Sequence, residues 1–180
     1  MKANENEKLH LLPLGEIPDP VLHAVSAALS EVYGFQVIEV ERVLLPVAAQ
    51  NIDRQQFLSS MVIEEIDRMG LQGVVLGIAD EDLYAQGLNF VFGEADREKR
   101  VAVISIARLS KEFYGETPDE ELLVDRAVKE AVHEIGHVVG LPHCPRAGCV
   151  MYFSNSIGDT DQKGARPCEL CRRTYGEAFG

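Results

Sequence analysis

The chain has 180 residues, of which 46% are hydrophobic and 26% are charged, and its formal net charge is -12. This length suits one well-buried core, and the composition is typical of an ordinary globular protein. The acidic balance does not favour a surface for nucleic acid or an anionic membrane, because both need a basic patch. No apolar run approaches the roughly 20 residues that cross a bilayer. We therefore expect neither nucleic acid nor membrane as a partner.

The two ends of the chain bear on its location. Residues 1–8 are polar and lead into a short apolar stretch interrupted by Pro13, whereas a secretory signal has a basic start and a longer apolar stretch. The sequence predicts a cytoplasmic monomer with no signal and no removable pro-segment. All four cysteines lie within the last 37 residues, and in a reducing compartment such clustering indicates metal binding before disulfides.

Strand and helix patterns alternate along the first 79 residues. Glycine and proline separate them, and residues 73–79 form a continuous apolar run that is typical of a strand buried on both faces. The predicted elements are a strand over 8–14, a helix over 21–32 closed by Tyr33 and Gly34, a strand over 35–40 that residues 42–47 continue or pair with, a helix from an N-cap at Asp53 to Met69, and a strand over 73–79.

Two more strands and one long helix follow. Strands are predicted over 87–93 and 101–107, with a charged turn at 94–100 between them. Thr117 supplies an N-cap and Pro118 the first helical position of a helix that runs to Gly140. The alternation predicts one α/β domain over residues 1–180, with a mixed twisted sheet and helices on both faces. Its first part would cover 1–140, and a short C-terminal part 141–180.

One stretch near the end of this helix reads His-Glu-x-x-His-x-x-Gly-x-x-His, from His133 to His143. His133 and His137 are four positions apart, so their imidazoles project from one helical face. Gly140 permits a sharp turn that brings His143 back towards the same metal. Three protein ligands leave a fourth position open for water or substrate, as in catalytic zinc sites. Glu134 is placed to take the proton of that water as general base and acid.

The same motif admits a plainer interpretation. A His-Glu-x-x-His on its own also occurs by chance on a solvated helix, and only the added Gly140 and His143 make chance improbable. His10 and His23 have no metal-ligand spacing, and we interpret both as structural or surface residues. A zinc-binding protein without peptidase activity is the alternative function, although it would not need Glu134.

The residues after the histidine motif resemble a known family. With Met151 placed eight residues after His143, the segment resembles the metzincin clan of zinc peptidases, in which a methionine turn lies beneath the metal. Cys144, Cys149 and the pair Cys168-x-x-Cys171 are similar to the archaemetzincin family. The resemblance implies a compact metzincin-like fold, a catalytic zinc on the three histidines and a second, structural zinc on the four cysteines. It also implies a peptide or protein substrate.

Several finer points remain open from the residues alone. The cysteines could instead form two disulfides, or Cys168 and Cys171 a redox pair. By analogy with the family, residues 88–93 are the candidate for an antiparallel strand that binds substrate, or an ordinary amphipathic strand. Tyr152 could donate a hydrogen bond to the oxyanion, or be a packed aromatic. The 18 residues between Cys149 and Cys168 are expected to be irregular.

Overall fold

The fold is described from a computed structural model that covers residues 7–174 and residue 176. Residues 1–6, on which the prediction of no secretory signal partly depends, lie outside the described residues. The elements in chain order are β1 (Lys8–Leu14), α1 (Asp19–Tyr33), β2 (Gln36–Glu39), β3 (Gln50–Asn51), β4 (Gln56–Leu58), α2 (Ser59–Arg68), β5 (Val74–Ala79), β6 (Leu83–Tyr84), β7 (Gly93–Asp96), β8 (Val101–Ser105), α3 (Glu120–Val138), α4 (Ile157–Gln162) and α5 (Glu169–Thr174).

A five-stranded mixed sheet has the strand order β2-β1-β5-β8-β7. β1 pairs in parallel with both β2 and β5, and β8 is parallel to β5. β7 is antiparallel to β8 and forms one edge of the sheet. A smaller sheet has the order β3-β4-β6. The predicted mixed sheet is therefore confirmed.

Helices cover both faces of the large sheet. Alternate side chains of a strand point to opposite faces, so Leu9 and Leu11 of β1 enter one core while Leu12 and Leu14 enter the other. α1 and α3 pack in the first core and α2 in the second. Every residue of β5 is buried, as its apolar run predicts. The predicted α/β architecture with helices on both faces is confirmed.

The helix predicted from Asp53 begins later, at Ser59. Residues 56–58 form β4 instead, because the Phe57 amide donates to the carbonyl of Asp82 over 2.8 Å. Before it, the chain turns through Gln55, whose φ is 54°. Residues 42–47 likewise form no strand, and Val43 makes only an isolated bridge to β1.

The strand predicted over 87–93 was also wrong. The edge strand is β7, which covers part of the predicted charged turn, and residues 85–92 are mostly irregular. At the start of α3, Asp119 is the N-cap rather than Thr117, since its carboxylate accepts from the Leu122 amide over 3.1 Å. Among the described residues, no helix is both long enough and apolar enough to cross a membrane.

Candidate metal centre

The end of α3 brings the three histidines together. The amide of Gly140 donates to His137 O, and the amide of Leu141 donates to Gly136 O, which is the hydrogen-bond pattern of a Schellman motif. Gly140 has the required left-handed backbone, with φ of 100°. The chain therefore reverses within two residues and returns His143 to the face that carries His133 and His137.

The geometry of the three imidazoles fits a zinc ion. The Nε2 atom of His137 lies 3.1 Å from Nε2 of His133 and 3.1 Å from Nε2 of His143. Nitrogens that share one tetrahedral zinc at about 2.1 Å lie about 3.4 Å apart. The spacing that the motif predicts is thus realised in three dimensions.

The protonation of two of these rings is fixed by backbone carbonyls, which can only accept hydrogen bonds. Nδ1 of His133 donates to Val150 O over 2.7 Å, and Nδ1 of His137 donates to Leu141 O over 2.8 Å. Each neutral ring then carries its lone pair on Nε2. Lone pairs that face one another at this distance need a cation between them, so these rings are oriented as metal ligands.

Electrostatics keep the three rings neutral. Burial lowers the pKa of His133 to about 2, with a further contribution from the ammonium of Lys163. Burial also lowers the pKa values of His137 and His143. Neutral imidazole is the form that binds metal, so at neutral pH no proton has to leave these rings first.

Glu134 lies beside the histidines and is buried, with 7% of its surface exposed. The position of its side chain depends on Gly93 in β7. A Cβ added at Gly93 would lie 2.6 Å from Glu134 Cγ and 2.8 Å from Glu134 Oε1. Burial raises the pKa of Glu134 to about 8, and the nearby carboxylates of Glu130 and Glu94 raise it as well. A carboxyl group with this pKa takes and returns protons near neutral pH.

Met151 is fully buried against α3. A Cβ on Gly136, which lies between the two helical histidines, would come within 2.4 Å of Met151 Sδ and 2.9 Å of the Tyr33 hydroxyl. Tyr33 in turn donates to Val132 O over 2.7 Å. The methionine therefore lies beneath the segment of α3 that bears His133 and His137, as expected for a methionine turn.

The four cysteines converge on a second point. Sγ of Cys144 lies 3.9 Å from Sγ of Cys168, and Sγ of Cys149 lies 3.8 Å from Sγ of Cys171. These separations are about twice a disulfide bond length, whereas thiolates on one tetrahedral zinc lie about 3.8 Å apart. Burial raises the pKa values of Cys149 and Cys171, so a cation is needed to hold them as thiolates. The donor set fits zinc.

Comparison with known proteins agrees with this pair of clusters. The sequence profile of peptidase family M54 matches residues 46–176. The chain belongs to this family. It is 43% identical over 164 residues to archaemetzincin of Methanocaldococcus jannaschii. The aligned region spans 91% of this chain and 90% of that protein. The predicted resemblance to the archaemetzincins is confirmed, and the chain is a zinc metallopeptidase.

Solved structures in the same family share the fold. The crystal structure of archaemetzincin from Methanopyrus kandleri superposes with a TM-score of 0.85 at 38% identity and covers 98% of this chain and 97% of that one. A zinc-dependent peptidase from Methanocorpusculum labreanum gives a TM-score of 0.85 at 32% identity, covering 93% and 99%. The α/β fold is therefore that of the archaemetzincin structures.

In this M54 peptidase the histidines open into a cleft of about 500 Å³. Its walls come from the irregular segment before β7, from α3 and from the segment after Met151. The lining comprises Ala85, residues 88–94, Glu130, His133, Glu134, His137, His143 and residues 153–155. Tyr152 is not among the residues that line the cleft. Phe153 does line the cleft, and its ring centroid lies 4.9 Å from that of His143.

The side chains of Arg54 and Gln56 hold the part of the cleft wall that Leu88 and Asn89 form. Arg54 donates to the carbonyls of Leu88 and Asn89 over 3.1 and 2.8 Å, and Gln56 donates to Asn89 O over 2.9 Å. Residues 88–93 therefore border the cleft as predicted, but side chains rather than strand pairing hold Leu88 and Asn89. The residues that do this were not predicted, since neither carries a local motif.

Sequence reasoning also missed a polar contact between the cysteine-bearing segment and α3. Arg126 binds both carboxylate oxygens of Asp161, at 2.7 and 2.9 Å. Thr160 donates to Glu130 Oε1 over 2.8 Å, and Lys163 Nζ lies 3.0 Å from the same oxygen. The segment expected to be irregular contains α4, whose start is a capping box at Ser156-x-x-Asp159. The Ser-x-x-Asp pattern is the sequence signal that could have predicted the start of this helix.

The remaining histidines are placed as predicted. His10 lies on β1, and its Nε2 is 3.0 Å from the Gln72 carbonyl oxygen. His23 is on an exposed position of α1. Neither belongs to the two groups of potential metal ligands in the described part of the chain.

Proposed function

We propose that His133, His137 and His143 bind a catalytic zinc, and that a second, structural zinc is held by the four cysteines. The single observation that carries the first assignment is the convergence of three Nε2 atoms, with the rings of His133 and His137 oriented by backbone carbonyls. The second rests on four sulfurs that all lie within 4.8 Å of one another: Cys144, Cys149, Cys168 and Cys171. Two zinc ions per chain follow.

Glu134 is the proposed general base and acid for peptide hydrolysis. Zinc bound at the histidines supplies a Lewis acid and lowers the pKa of a bound water to about 7. Glu134 accepts the proton of that water and later returns it to the leaving amine. Its burial beside the cleft and its raised pKa suit both steps, because the carboxylate has little competing hydrogen bonding to bulk water.

The proposed substrate is an extended peptide or protein segment. β7 is an edge strand, and Gly93 and Glu94 both line the cleft. An edge strand offers unpaired backbone groups that an extended chain can pair with. We therefore propose that Gly93–Asp96, rather than residues 88–93, is the strand that binds substrate.

In this proposal Met151 supports the metal site from below α3. Residues 141–180 are the smaller, C-terminal part of one proposed domain. The cysteine-bound zinc stabilises that part, whose backbone also orients His133 through Val150 O. The cytoplasmic location and the monomeric state stay predictions from composition.

A peptide-library screen with mass-spectrometric mapping of cleavage sites tests the function. Wild-type protein with about two zinc ions per chain is compared with Glu134→Gln, which keeps the size of the side chain, and with His23→Ala as a surface control. We expect cleavage by the wild type and by His23→Ala, and a loss of at least about a hundredfold in Glu134→Gln with its zinc retained. Undiminished cleavage by Glu134→Gln would rule out this mechanism. Stoichiometric zinc without any cleavage would favour the non-peptidase alternative.

A further inference from the structure

Glu130 extends the cleft face of α3 beyond the metal site. It precedes Glu134 by four residues and His137 by seven, so all three lie on one helical face. Glu130 lines the cleft although only 2% of its surface is exposed. One helical turn, about 6 Å, separates its position along the axis from that of Glu134. The proposed mechanism makes no use of this carboxylate.

The two oxygens of Glu130 have different surroundings. Oε1 accepts a hydrogen bond from Thr160 over 2.8 Å and lies 3.0 Å from Nζ of Lys163, an ion pair without the alignment of a hydrogen bond. Within residues 7–174, no donor binds Oε2, and this oxygen is not sealed inside the protein. Glu130 lines the cleft, and Oε2 is its one carboxylate oxygen without a donor among the described residues.

Lys163 keeps this carboxylate available as an acceptor. Its side chain is fully buried and lies behind Glu130 rather than in the cleft wall. An ion pair of this kind offsets part of the free-energy cost of burying the carboxylate. Among the described lining residues there is no lysine or arginine. Oε2 therefore has no cationic partner among the described residues of the cleft wall.

Ser154 is a second polar residue of the cleft lining. Oγ of Ser154 is buried without a hydrogen-bond partner among the described residues, and Ser154 lines the cleft with Glu130. Buried polar atoms without partners are uncommon because each costs the free energy of its lost hydration. We call the part of the cleft at Glu130 the Glu130 subsite, and a ligand with a hydrogen-bond donor would complete it by pairing with Oε2.

The position of this subsite relative to the reaction follows from Glu134. The proposed mechanism returns a proton from Glu134 to the leaving amine, so the residue that carries this amine lies on the Glu134 side of the metal. Glu130 lies one turn further in that direction along α3. A side chain at the carboxyl-terminal side of the scissile bond would therefore enter the Glu130 subsite.

We propose that Glu130 is a specificity-determining residue that accepts a hydrogen bond from the side chain of the substrate residue whose amine is released. The matching side chains are N–H donors such as glutamine and lysine, rather than apolar chains of equal length. This inference rests on the proposed function for its placement in the reaction. A site built to pair with a donor disfavours an analogue that lacks it, since the acceptor is then left buried and unpaired.

The test uses zinc-loaded full-length protein and peptides that differ only at the residue after the scissile bond. That residue is glutamine, lysine or norleucine, the last being an apolar chain of similar length. We expect kcat/KM for the glutamine or the lysine peptide to exceed that for the norleucine peptide by at least about tenfold. The two donors also separate a neutral from a cationic preference.

Glu130→Gln gives a sharp reversal test. Thr160 donates to Oε1 and the ammonium of Lys163 lies beside the same oxygen, so they retain the amide oxygen and leave the new NH2 group in place of Oε2. We expect the donor preference to fall to about onefold in this variant. Thr160→Val is the matched control, because it removes a hydrogen bond to Glu130 but leaves Oε2 in the cleft. It should lose stability and keep the preference.

Folding and zinc content of each variant are measured first. If Glu130→Gln does not fold because Lys163 loses its partner charge, the double variant Glu130→Gln/Lys163→Met replaces it, and the same loss of preference is expected. An equal kcat/KM for donor and norleucine peptides in the wild type would overturn the inference. So would a preference that survives in the variant of Glu130.

Equilibrium binding of the same peptides to the zinc-loaded protein separates this inference from the proposed function. If the wild type cuts no peptide yet binds the glutamine or the lysine peptide at least about tenfold more tightly than the norleucine peptide, the subsite stands and the peptidase mechanism falls. If neither binding nor cleavage distinguishes the peptides, the subsite falls.

Discussion

Replacing Gly93 by alanine isolates the placement of Glu134 without touching any metal ligand. The backbone of Gly93 is not left-handed, so alanine is compatible with its conformation. The added Cβ would lie 2.6 Å from Glu134 Cγ, 2.8 Å from its Oε1 and 2.8 Å from the carbonyl oxygen of Val103. The carboxylate therefore cannot stay where it is unless β7 moves.

The size of the effect follows from these distances. Ordinary contact begins near 3.4 Å, so Glu134 Cγ must move by about 0.8 Å from the 2.6 Å approach. A misplacement of about 1 Å in a catalytic group costs about a hundredfold in rate. We expect kcat/KM of Gly93→Ala to fall by about that factor, mostly through kcat, since the base acts in the transition state.

The assay measures kcat/KM on a cleaved peptide together with zinc content and thermal stability. Gly158→Ala is the matched control, because its Cβ would meet only Ser156 Oγ, at an ordinary 3.7 Å. Zinc content should stay at the wild-type value in both variants. Full activity in Gly93→Ala, with wild-type stability, would show that Glu134 is not held at this position during catalysis and would refute the reasoning.

Three further predictions concern the support of the site. Gly136→Ala places a Cβ 2.4 Å from Met151 Sδ, so we expect a lower melting temperature and weaker zinc retention during dialysis against a chelator. Lys163→Met removes the ion-pair partner of buried Glu130, and should lower the free energy of unfolding in urea by about 3–5 kcal/mol. In metal-free protein, the pKa of Glu134 is raised from its ordinary 4.5 to about 8, so the folded state binds the proton more tightly. The contribution of Glu134 to the free energy of unfolding is therefore full below about pH 4.5 and is lost as the pH rises to about 8. Urea unfolding across this pH range should show the loss in the metal-free wild type and not in Glu134→Gln.

The part of the site that sequence predicted best depends on local geometry. Four- and six-residue spacings on and after one helix determine where His133, His137 and His143 project, and Gly140 provides the only reversal they need. The cysteines were harder, because their spacing alone allows disulfides or a redox pair. Only the folded chain shows four sulfurs meeting at one point.

The predictions that were wrong involve competition from distant residues. Residues 88–93 alternate like a strand, but the carbonyls of Leu88 and Asn89 pair with the side chain of Arg54, more than 30 positions earlier. Similarly, Asp53 looks like a helix cap, yet the Phe57 amide binds Asp82 O in the small sheet. Hydrophobic periodicity carries no information on such partners. The same reason hides the ion pair of Lys163 and Glu130, which are 33 positions apart.

The two groups of candidate metal ligands are joined by three consecutive residues. Cys149 gives one sulfur to the thiol cluster, the carbonyl of Val150 orients His133, and Met151 packs beneath α3. The carbonyl of Met151 also accepts from the Cys144 amide over 2.8 Å, directly after His143. A shift of any of these three residues therefore moves a candidate ligand or the group that orients one. A displacement at the cysteines is passed to the histidines in this way. The cysteines are therefore coupled to the histidine site through backbone geometry, although none of them needs to contact a metal bound at the histidines.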